Sequence, residues 1–569
     1  MLKEARSALE RYFGYSDFRP GQDEAVRSAL SGRDTLVVMP TGGGKSICYQ
    51  VPALVLPGLT IVVSPLIALM LDQVSALECK GISAALINST LSSDEIGERL
   101  AWAVSGELKL LYVAPERFGS PAFLRALRNM DVSMVAIDEA HCVCEWGHDF
   151  RPSYMRLREA WPKMNRPRLL ALTATATPEV RREIVKELDL RRARVLVRGF
   201  DRPNLRWIVR REEKLTEKSR VLLSLFDDRD DVAVVYASTR KMVEAATELL
   251  RSSGVSAAAY HAGLHRDQRA QVQEAWMSGE VPVVVATNAF GMGVDKADVR
   301  RVVHLQMPGS LEAYYQEAGR AGRDGEPAEC ILLHSYRDRF THEWFIRSNH
   351  PPRNVIVSAY RALCKAAESK ASPVSPAQFA VRVKGAKSEQ EVYSAMRILA
   401  DHGVVEDTGK RSGCIVRWIA SPQQIQTLLD EEDGAGDTPH ILSVLEGLAR
   451  ASAGGERRYL RFARREVARW SEGDFGAARQ ALDALQSAGV LGWRDEGRTS
   501  GYLPAKGSLR SNRLPVNWGR VSARRSLELS KLKRMESYAY QRGCRRRYLL
   551  RYFGEDPGRG RCDSCDRCS

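Results

Sequence analysis

Thr35-Leu-Val-Val-Met39, followed directly by Pro40-Thr41-Gly42-Gly43-Gly44-Lys45-Ser46, is the stretch on which the fold turns. A short β-branched apolar run passes through three glycines into a helical pattern, so the segment predicts a strand, a tight loop and a helix in that order. Glycines let backbone N–H groups wrap a phosphate chain, and the following helix N-terminus adds partial positive charge. Lys45 can reach the β- and γ-phosphates, and Ser46 can ligate Mg²⁺. The usual first glycine of such a loop, five residues before Gly44, is Met39 here. Taken alone, the surviving Gly-Lys-Ser core also fits a chance glycine-rich turn.

Around this segment, short apolar runs alternate with longer helical patterns: Thr60-Ile-Val-Val63, Lys109-Leu-Leu-Tyr-Val113, Met134-Val-Ala-Ile137 and Leu169-Leu-Ala-Leu172. Such alternation predicts a parallel sheet covered on both faces, a doubly wound α/β domain over residues 1–205. The scheme repeats after an Arg-rich connector around Phe200-Asp-Arg-Pro-Asn204. Val232 to Tyr236, Ala257 to Tyr260, Val281 to Ala286, Val302 to Leu305 and Cys330 to Leu333 predict a second α/β domain over 206–345. After Pro351-Pro352 the strand runs vanish. Ser388 to Val405 and Asp474 to Leu491 resemble one another, each a helical pattern closed by Gly403 or Gly489 at a C′ position and followed by an apolar pair. Helix, glycine, strand and polar wing predict winged-helix-like α+β domains at 350–430 and 435–515, with two unrelated helical hairpins as the alternative. From Ser522 the pattern is helical again, giving a last helical module over 520–569.

The length of 569 residues fits about four domains. Hydrophobic residues make up 44% and charged residues 27%, which excludes general disorder, and the net charge of +15 implies a polyanionic partner. From Pro504 to Ser569 there are seventeen Lys or Arg against six Asp or Glu, so the tail carries most of that surplus. The most apolar stretch, Gly58 to Leu71, is broken by Ser64 and Pro65 and is shorter than the ~18 residues of a membrane span, so no membrane association is expected. Met1-Leu2-Lys3-Glu4-Ala5-Arg6 does not look like a secretory signal, and a cytoplasmic location is expected. Eleven cysteines, most of them single and in apolar surroundings, fit reduced thiols in that compartment.

Three further groups carry chemistry. Asp138-Glu139-Ala140-His141 follows the run Met134 to Ile137, so two adjacent acids sit at a strand tip. There Asp138 can hold the Mg²⁺ shell while Glu139 orients and polarises the attacking water, which favours a nucleotide hydrolase. In the second α/β domain Arg320 and Arg323 lie three apart and are expected on one helical face, where guanidinium groups can stabilise charge on a transferring phosphoryl; solvated surface arginines are the plain alternative. Cys544, Cys562, Cys565 and Cys568 offer four thiolates at spacings that close a tetrahedral structural Zn²⁺ site. Disulfides and an iron–sulfur cluster are the competing readings.

In this order and combination the motifs resemble the RecQ family of superfamily 2 DNA helicases, through residues ~9 to 340 and again from ~531 to 568. The resemblance implies two RecA-like domains. Leu9 to Gln22 is similar to the family's motif 0, which implies that Tyr15 and Arg19 sandwich adenine while Gln22 reads its edge. The loop Thr41, Gly42, Gly43, Gly44, Lys45 and Ser46 and the acids Asp138 and Glu139 resemble motifs I and II, and Thr173-Ala-Thr175 resembles motif III. Tyr236 to Arg240 resembles motif IV, Ala286 to Asp295 motif V, and Gln316 to Arg323 motif VI, so Gln316 and Asp295 join the nucleotide-binding set. Trp146-Gly-His-Asp-Phe-Arg-Pro152 resembles the family's aromatic-rich loop. There Trp146 and Phe150 can stack on unpaired bases, while His148 and Arg151 contact the strand or relay its presence. The segments before and after Cys544 resemble the helical hairpin of the family's zinc module, in which Arg545, Arg546 and Arg547 could face DNA phosphates or simply be solvated.

The usual family order places the zinc module soon after motif VI with a winged helix behind it. Here about 200 residues intervene and the last cysteine stands next to the final residue, so neither a later winged helix nor a helicase-and-RNase-D-like domain is expected. The inserted winged helices are expected to replace the missing duplex-binding module. The resemblance therefore implies an ATP- and Mg²⁺-dependent helicase moving 3′ to 5′ on single-stranded DNA, acting on forked or duplex DNA in recombination or repair. A single-stranded-DNA-binding protein is the expected protein partner, and the nucleoid the expected place of work. An RNA helicase and a DNA-dependent ATPase or annealing protein with weak unwinding are the alternatives.

Overall fold

The computed structural model describes every residue except 41, 89, 145–150, 227–230, 291–295, 369–372, 409–412, 422, 426–439, 453–459, 472–473, 496–500, 506–512, 560 and 569. The chain forms two compact units, Met1–Glu343 together with Leu527–Ser569, and Trp344–Ser526. Among the described residues no helix is long and apolar enough to cross a membrane.

In the first unit seven parallel strands make one sheet: β1 Thr35–Val38, β2 Leu59–Val63, β3 Ala84–Ile87, β4 Leu110–Val113, β5 Val132–Ile137, β6 Arg168–Thr173 and β7 Arg194–Val197, in the order β3-β4-β2-β5-β6-β1-β7. The strands β1 to β4 are buried at every position, as strands covered by helices on both faces must be. Six more parallel strands form the second sheet: β8 Leu205–Arg211, β9 Ala233–Tyr236, β10 Ala257–Tyr260, β11 Val283–Ala286, β12 Arg301–His304 and β13 Ala328–His334, in the order β10-β11-β9-β12-β13-β8. Both doubly wound domains follow the expectation. The Arg-rich connector holds more structure than expected, because β7 and β8 flank Phe200 to Asn204 as edge strands of the two sheets. The exposed side of β8 carries Arg206 and Arg210, which hides its apolar alternation, and β7 is only four residues long with Val195 exposed.

The helices Trp518–Tyr540 and Arg545–Tyr552 form the hairpin that carries the cysteines. The cysteine loop runs beside β8: Trp207 N donates to Ser564 O at 3.0 Å, and Asp566 N donates to Trp207 O at 3.0 Å. It thereby covers an edge that would otherwise leave backbone groups unpaired.

The second unit corrects the expected domain order. The resembling helices are present as Glu389–Asp401 and Phe475–Ser487, and Gly403 (φ +68) and Gly489 (φ +73) follow them as expected. The two domains, however, are nested and not consecutive. In the outer one, β14 Val405–Asp407 pairs with a strand from far along the chain. Inside lie β15 Gly413–Trp418, β16 Leu460–Ala463 and β17 Leu491–Asp495, a three-stranded sheet in the order β16-β15-β17, and β18 Tyr502–Pro504 then returns to close on β14. Glu406 stands opposite Leu503 and Val416 opposite Trp493, so both blocks keep one register, and Thr408 N bonds Gly501 O at 2.9 Å between them. The pairing of β14 with β18 thus serves as wing of the outer domain, and that of β15 with β16 and β17 as central sheet of the inner. Leu514 and Val516 rejoin the outer core with Val355, Phe379 and Leu399, whereas Leu445, Phe462 and Leu482 belong to the inner core. The expected boundaries 350–430 and 435–515 cut across this arrangement.

Candidate functional site

The tips of β1, β6 and β5 lie side by side, and the phosphate-loop segment, Thr173 and the acidic pair emerge from them in that order. A cavity of about 800 Å³ opens there, lined by Gln22, Lys45, Ser46, Asp138 and Glu139 from the first sheet's side and by Gln316, Arg320 and Arg323 from the second. The ends of parallel strands are where doubly wound sheets hold ligands. Tyr15, half exposed, and Arg19 line the same cavity.

The loop needs its glycines. Gly44 has φ +74, and a Cβ there would stand 2.3 Å from Gln22 Nε2. Gln22 Nε2 donates to Gly43 O and Gly44 O, each at 3.1 Å, and Arg19 Nη1 donates to Gly42 O at 3.0 Å, so the residues expected at adenine also hold the loop. Lys45 Nζ donates to Met39 O at 3.2 Å and Pro40 O at 3.4 Å, close to where phosphate oxygens would compete for it. Met39 departs from the usual glycine without obstructing the loop, because its side chain is buried in the first core.

Asp138 is buried, and its carboxyl is pushed up to about 7 by desolvation and then by Glu139, against the pull of Lys45. A carboxylate so poorly compensated, beside Ser46, has the chemistry of a hard-cation ligand, so the residues fit Mg²⁺. Glu139 has φ +46, a left-handed conformation costly for a residue with a side chain, and its N–H donates to Asp138 Oδ1 at 2.9 Å. His141 Nδ1 lies 2.8 Å from Thr173 Oγ1 and 3.3 Å from Glu139 Oε2. Burial, with Lys45 and Arg151 adding to it, lowers this imidazole to about 3 and keeps it neutral. Because the Thr173 hydroxyl donates to Thr175 O at 3.4 Å, its oxygen accepts from Nδ1–H. Tyr154, which no sequence signal singled out, donates its hydroxyl to Asp138 O at 2.9 Å.

The arginines reach the cavity from the second sheet, but not as one helical face. The helix Leu311–Ala318 ends before them, and Arg320 and Arg323 stand in the turn that follows, where Gly322 has φ +53. The Arg323 stem lies against the phosphate loop: a Cβ on Gly42 would meet its Cγ at 3.3 Å. Arg320 is buried beside the hydroxyl of Tyr236, which burial pushes up to about 12. The Tyr236 ring stacks on His304 at 5.4 Å, and His304 Nε2 lies 2.9 Å from Glu317 Oε2. Motif membership pointed to Tyr236 without a role; His304 had no signal in the sequence.

The four cysteine sulfurs gather within 4.8 Å of one another, with Cys562 and Cys565 at 3.5 Å and Cys565 and Cys544 at 4.0 Å. Zn–S bonds of about 2.3 Å in a tetrahedron set sulfurs roughly 3.8 Å apart, so Cys544, Cys562, Cys565 and Cys568 fit a closed Zn²⁺ site, and all four are free thiols. The arginines beside them correct an expectation. Arg545 is fully buried, bonded to Asp566 Oδ1 at 3.0 Å, and its guanidinium also meets Tyr538 O, so it braces the module and cannot face DNA. Arg546 is paired with Asp201 through two hydrogen bonds, and Arg547 is half exposed. Arg151 Nη1 bonds Pro65 O at 3.1 Å. Thr41, Trp146, His148, Phe150 and Asp295 lie outside the described residues.

The comparisons agree with this geometry. The family described as DEAD/DEAH box helicase matches residues 19–184, the helicase conserved C-terminal domain residues 217–325, and the RecQ zinc-binding family residues 510–569. The chain is 49% identical over 352 residues to the ATP-dependent DNA helicase RecQ of Bacillus subtilis, covering 61% of this chain and 59% of that protein. With the RecQ of Pasteurella multocida the figures are 44% over 372 residues, 65% and 58%. With the probable ATP-dependent DNA helicase RecS of B. subtilis they are 39% over 369 residues, 64% and 74%. The chain thus spans a little under three fifths of the length of the two RecQ relatives.

Proposed function

Because the chain belongs to the RecQ family of superfamily 2 helicases, we propose that it is an ATP- and Mg²⁺-dependent DNA helicase that moves 3′ to 5′ along single-stranded DNA and opens forked or duplex DNA. The observation that carries the proposal is the Arg323 stem against Gly42, which puts a guanidinium of one sheet beside the phosphate loop of the other. An ATP hydrolase whose site is completed across two lobes can turn hydrolysis into lobe movement.

In this reading Lys45 holds the β- and γ-phosphates, Tyr15, Arg19, Gln22 and Gln316 hold the nucleoside end, and Glu139 orients the attacking water. The neutral His141, bonded to Thr173, fixes the direction of that carboxylate. Arg320 and Arg323 stabilise charge on the transferring phosphoryl group, an effect of about 10³-fold or more for the arginine fingers of GTPases. Ser46 and Asp138 would hold Mg²⁺, which supplies neutralising charge at the phosphates. Cys544, Cys562, Cys565 and Cys568 would hold Zn²⁺ as a structural clasp. The aromatic residues Trp146 and Phe150, with His148 and Arg151, are the proposed strand sensor, and Asp295 the proposed motif V contribution. The domains act as two motor lobes, a nested winged-helix pair for duplex DNA and a zinc module. Work in recombination or repair in the cytoplasm, at the nucleoid and beside a single-stranded-DNA-binding protein, belongs to the same proposal.

Steady-state ATP hydrolysis measured with no nucleic acid, single-stranded DNA or single-stranded RNA tests it. DNA is expected to stimulate turnover more than RNA, and Lys45→Ala to abolish turnover with every strand. Equal stimulation by RNA, or DNA-stimulated turnover surviving in Lys45→Ala, would overturn the reading.

A further inference from the structure

The end of the zinc hairpin is tied to both motor lobes at one residue. Phe553 is fully buried. Its ring stacks on Phe200 of the inter-lobe connector, with centroids 4.6 Å apart and planes 15° apart, and meets Tyr315 of the second lobe at 4.9 Å. Tyr315 in turn donates its hydroxyl to Phe200 O at 2.6 Å and precedes Gln316 of the cavity lining. The carbonyl of the same Phe553 accepts from Arg181 Nη2 of the first lobe. Gly554, at φ +69, brings the backbone so close that a Cβ would stand 3.2 Å from Arg181 Nη1 and Pro178 Cγ.

Arg181 faces two ways. Its Nε donates to Ala176 O at 3.0 Å, directly after Thr175, whose carbonyl accepts from Thr173. Thr173 meets His141, and His141 meets Glu139. A chain of hydrogen bonds and short covalent steps, closed by the 3.3 Å approach of His141 Nδ1 to Glu139 Oε2, therefore runs from the zinc hairpin through one guanidinium to the acid proposed to orient water. Its other end is an aromatic stack shared with the lobe that carries Arg320 and Arg323. Arg181 is half-buried and desolvated, so each of its bonds is made in a medium where breaking it is costly.

We propose that Arg181 and Phe553 form a positioning joint, through which the zinc module transmits the relative placement of the two lobes to the Thr173–His141–Glu139 network. This rests on the motor reading above and adds to it a part that touches neither nucleotide nor DNA. A stack that follows the second lobe and a carbonyl held by the first make the joint sensitive to lobe closure. Its loss should therefore weaken the link between strand binding and hydrolysis and leave the resting site intact.

The test compares kcat and KM for ATP, with and without single-stranded DNA, in the full chain and in Arg181→Ala, Arg181→Lys and Phe553→Leu, with bound zinc measured in each. In Arg181→Ala the ratio of stimulated to unstimulated kcat is expected to fall about tenfold, the size of a typical coupling, while unstimulated kcat and KM stay within about twofold. Zinc content should be unchanged. Arg181→Lys, which keeps the charge but only a point donor, is expected to fall between wild type and Arg181→Ala. Phe553→Leu keeps the carbonyl and apolar volume and is expected to uncouple similarly, and the double variant should be no worse than either alone. An unchanged ratio in a zinc-loaded variant overturns the joint. So does a parallel fall of stimulated and unstimulated rates in all three variants, which marks a merely structural contact. A wild-type chain that DNA does not stimulate overturns the motor reading itself.

Discussion

Arg545 and His141 show how much a single position depends on what surrounds it. A run of three arginines beside a metal module reads as phosphate-binding, yet the first is buried against Asp566. Burial turns it from a surface charge into half of an ion pair, and removing one partner of such a pair costs roughly 3 kcal/mol. Arg545→Ala should therefore lower the denaturant midpoint and loosen zinc retention. The slope of log DNA affinity against log salt should not change, whereas loss of a real phosphate contact would reduce it by about one. A reduced slope with unchanged stability would restore the DNA-facing role. His141 gives the pH prediction. Its folded value near 3 lies below the unfolded value of about 6.5, so below pH 6.5 the unfolded chain binds the extra proton. The stability associated with the neutral ring is complete above that pH and is lost progressively as pH falls toward 3. Between pH 7 and pH 5 the denaturant midpoint of nucleotide-free protein should fall further in wild type than in His141→Asn; equal falls would contradict the buried neutral imidazole.

Among the elements, what could be read ahead of the structure were those whose chemistry is local. The strand-to-glycine-to-helix step at Thr35 to Ser46, the acid pair after β5, and the glycines that end the helices Glu389–Asp401 and Phe475–Ser487 each announce themselves within a few residues. β7 and β8 did not, because β7 is a four-residue edge strand and β8, with Arg206 and Arg210 on its exposed side, lacks the continuous apolar run of buried strands. The three-residue spacing of Arg320 and Arg323 suits a helix and a turn alike, and only the backbone at Gly322 separates them. The nesting of the two small α+β domains is a pairing between residues nearly a hundred positions apart, which no local pattern encodes. It makes a testable claim about β14 and β18. Replacing residues 409–500 by Asn-Gly joins Thr408 to Gly501 through a two-residue hairpin turn in the existing register. The shortened chain should fold with a closed outer wing and keep its unstimulated ATP hydrolysis. Aggregation or loss of cooperative thermal unfolding would mean that the two domains are not separable folds.

At the scale of the whole molecule, the surplus of +15 first pointed only to a polyanion. Part of it turns out to be internal. In the tail Arg545 pairs with Asp566 and braces the zinc hairpin internally, while Arg546 pairs with Asp201 and fastens the hairpin to the connector between the two α/β domains. The aromatic contacts of Phe553 and the strand-like addition at Trp207 do the same, so a segment set off from the two α/β domains by residues 344–526 completes them in space. The site's main parts were legible because each motif carries its own chemistry. Their linkage through Arg181, Thr173 and Tyr236 was not, because buried hydrogen bonds between distant segments leave no periodicity behind. What the assembled lobes, cavity and clasp are proposed to do together is convert ATP hydrolysis into separation of DNA strands. The most direct measurement is strand displacement from a forked DNA duplex, with ATP and Mg²⁺ set beside a non-hydrolysable ATP analogue and beside Lys45→Ala. The account predicts displaced strand with ATP alone in the wild-type chain and none in either control. Displacement that persists with the analogue, or an ATP-hydrolysing chain that leaves the fork intact, would contradict it.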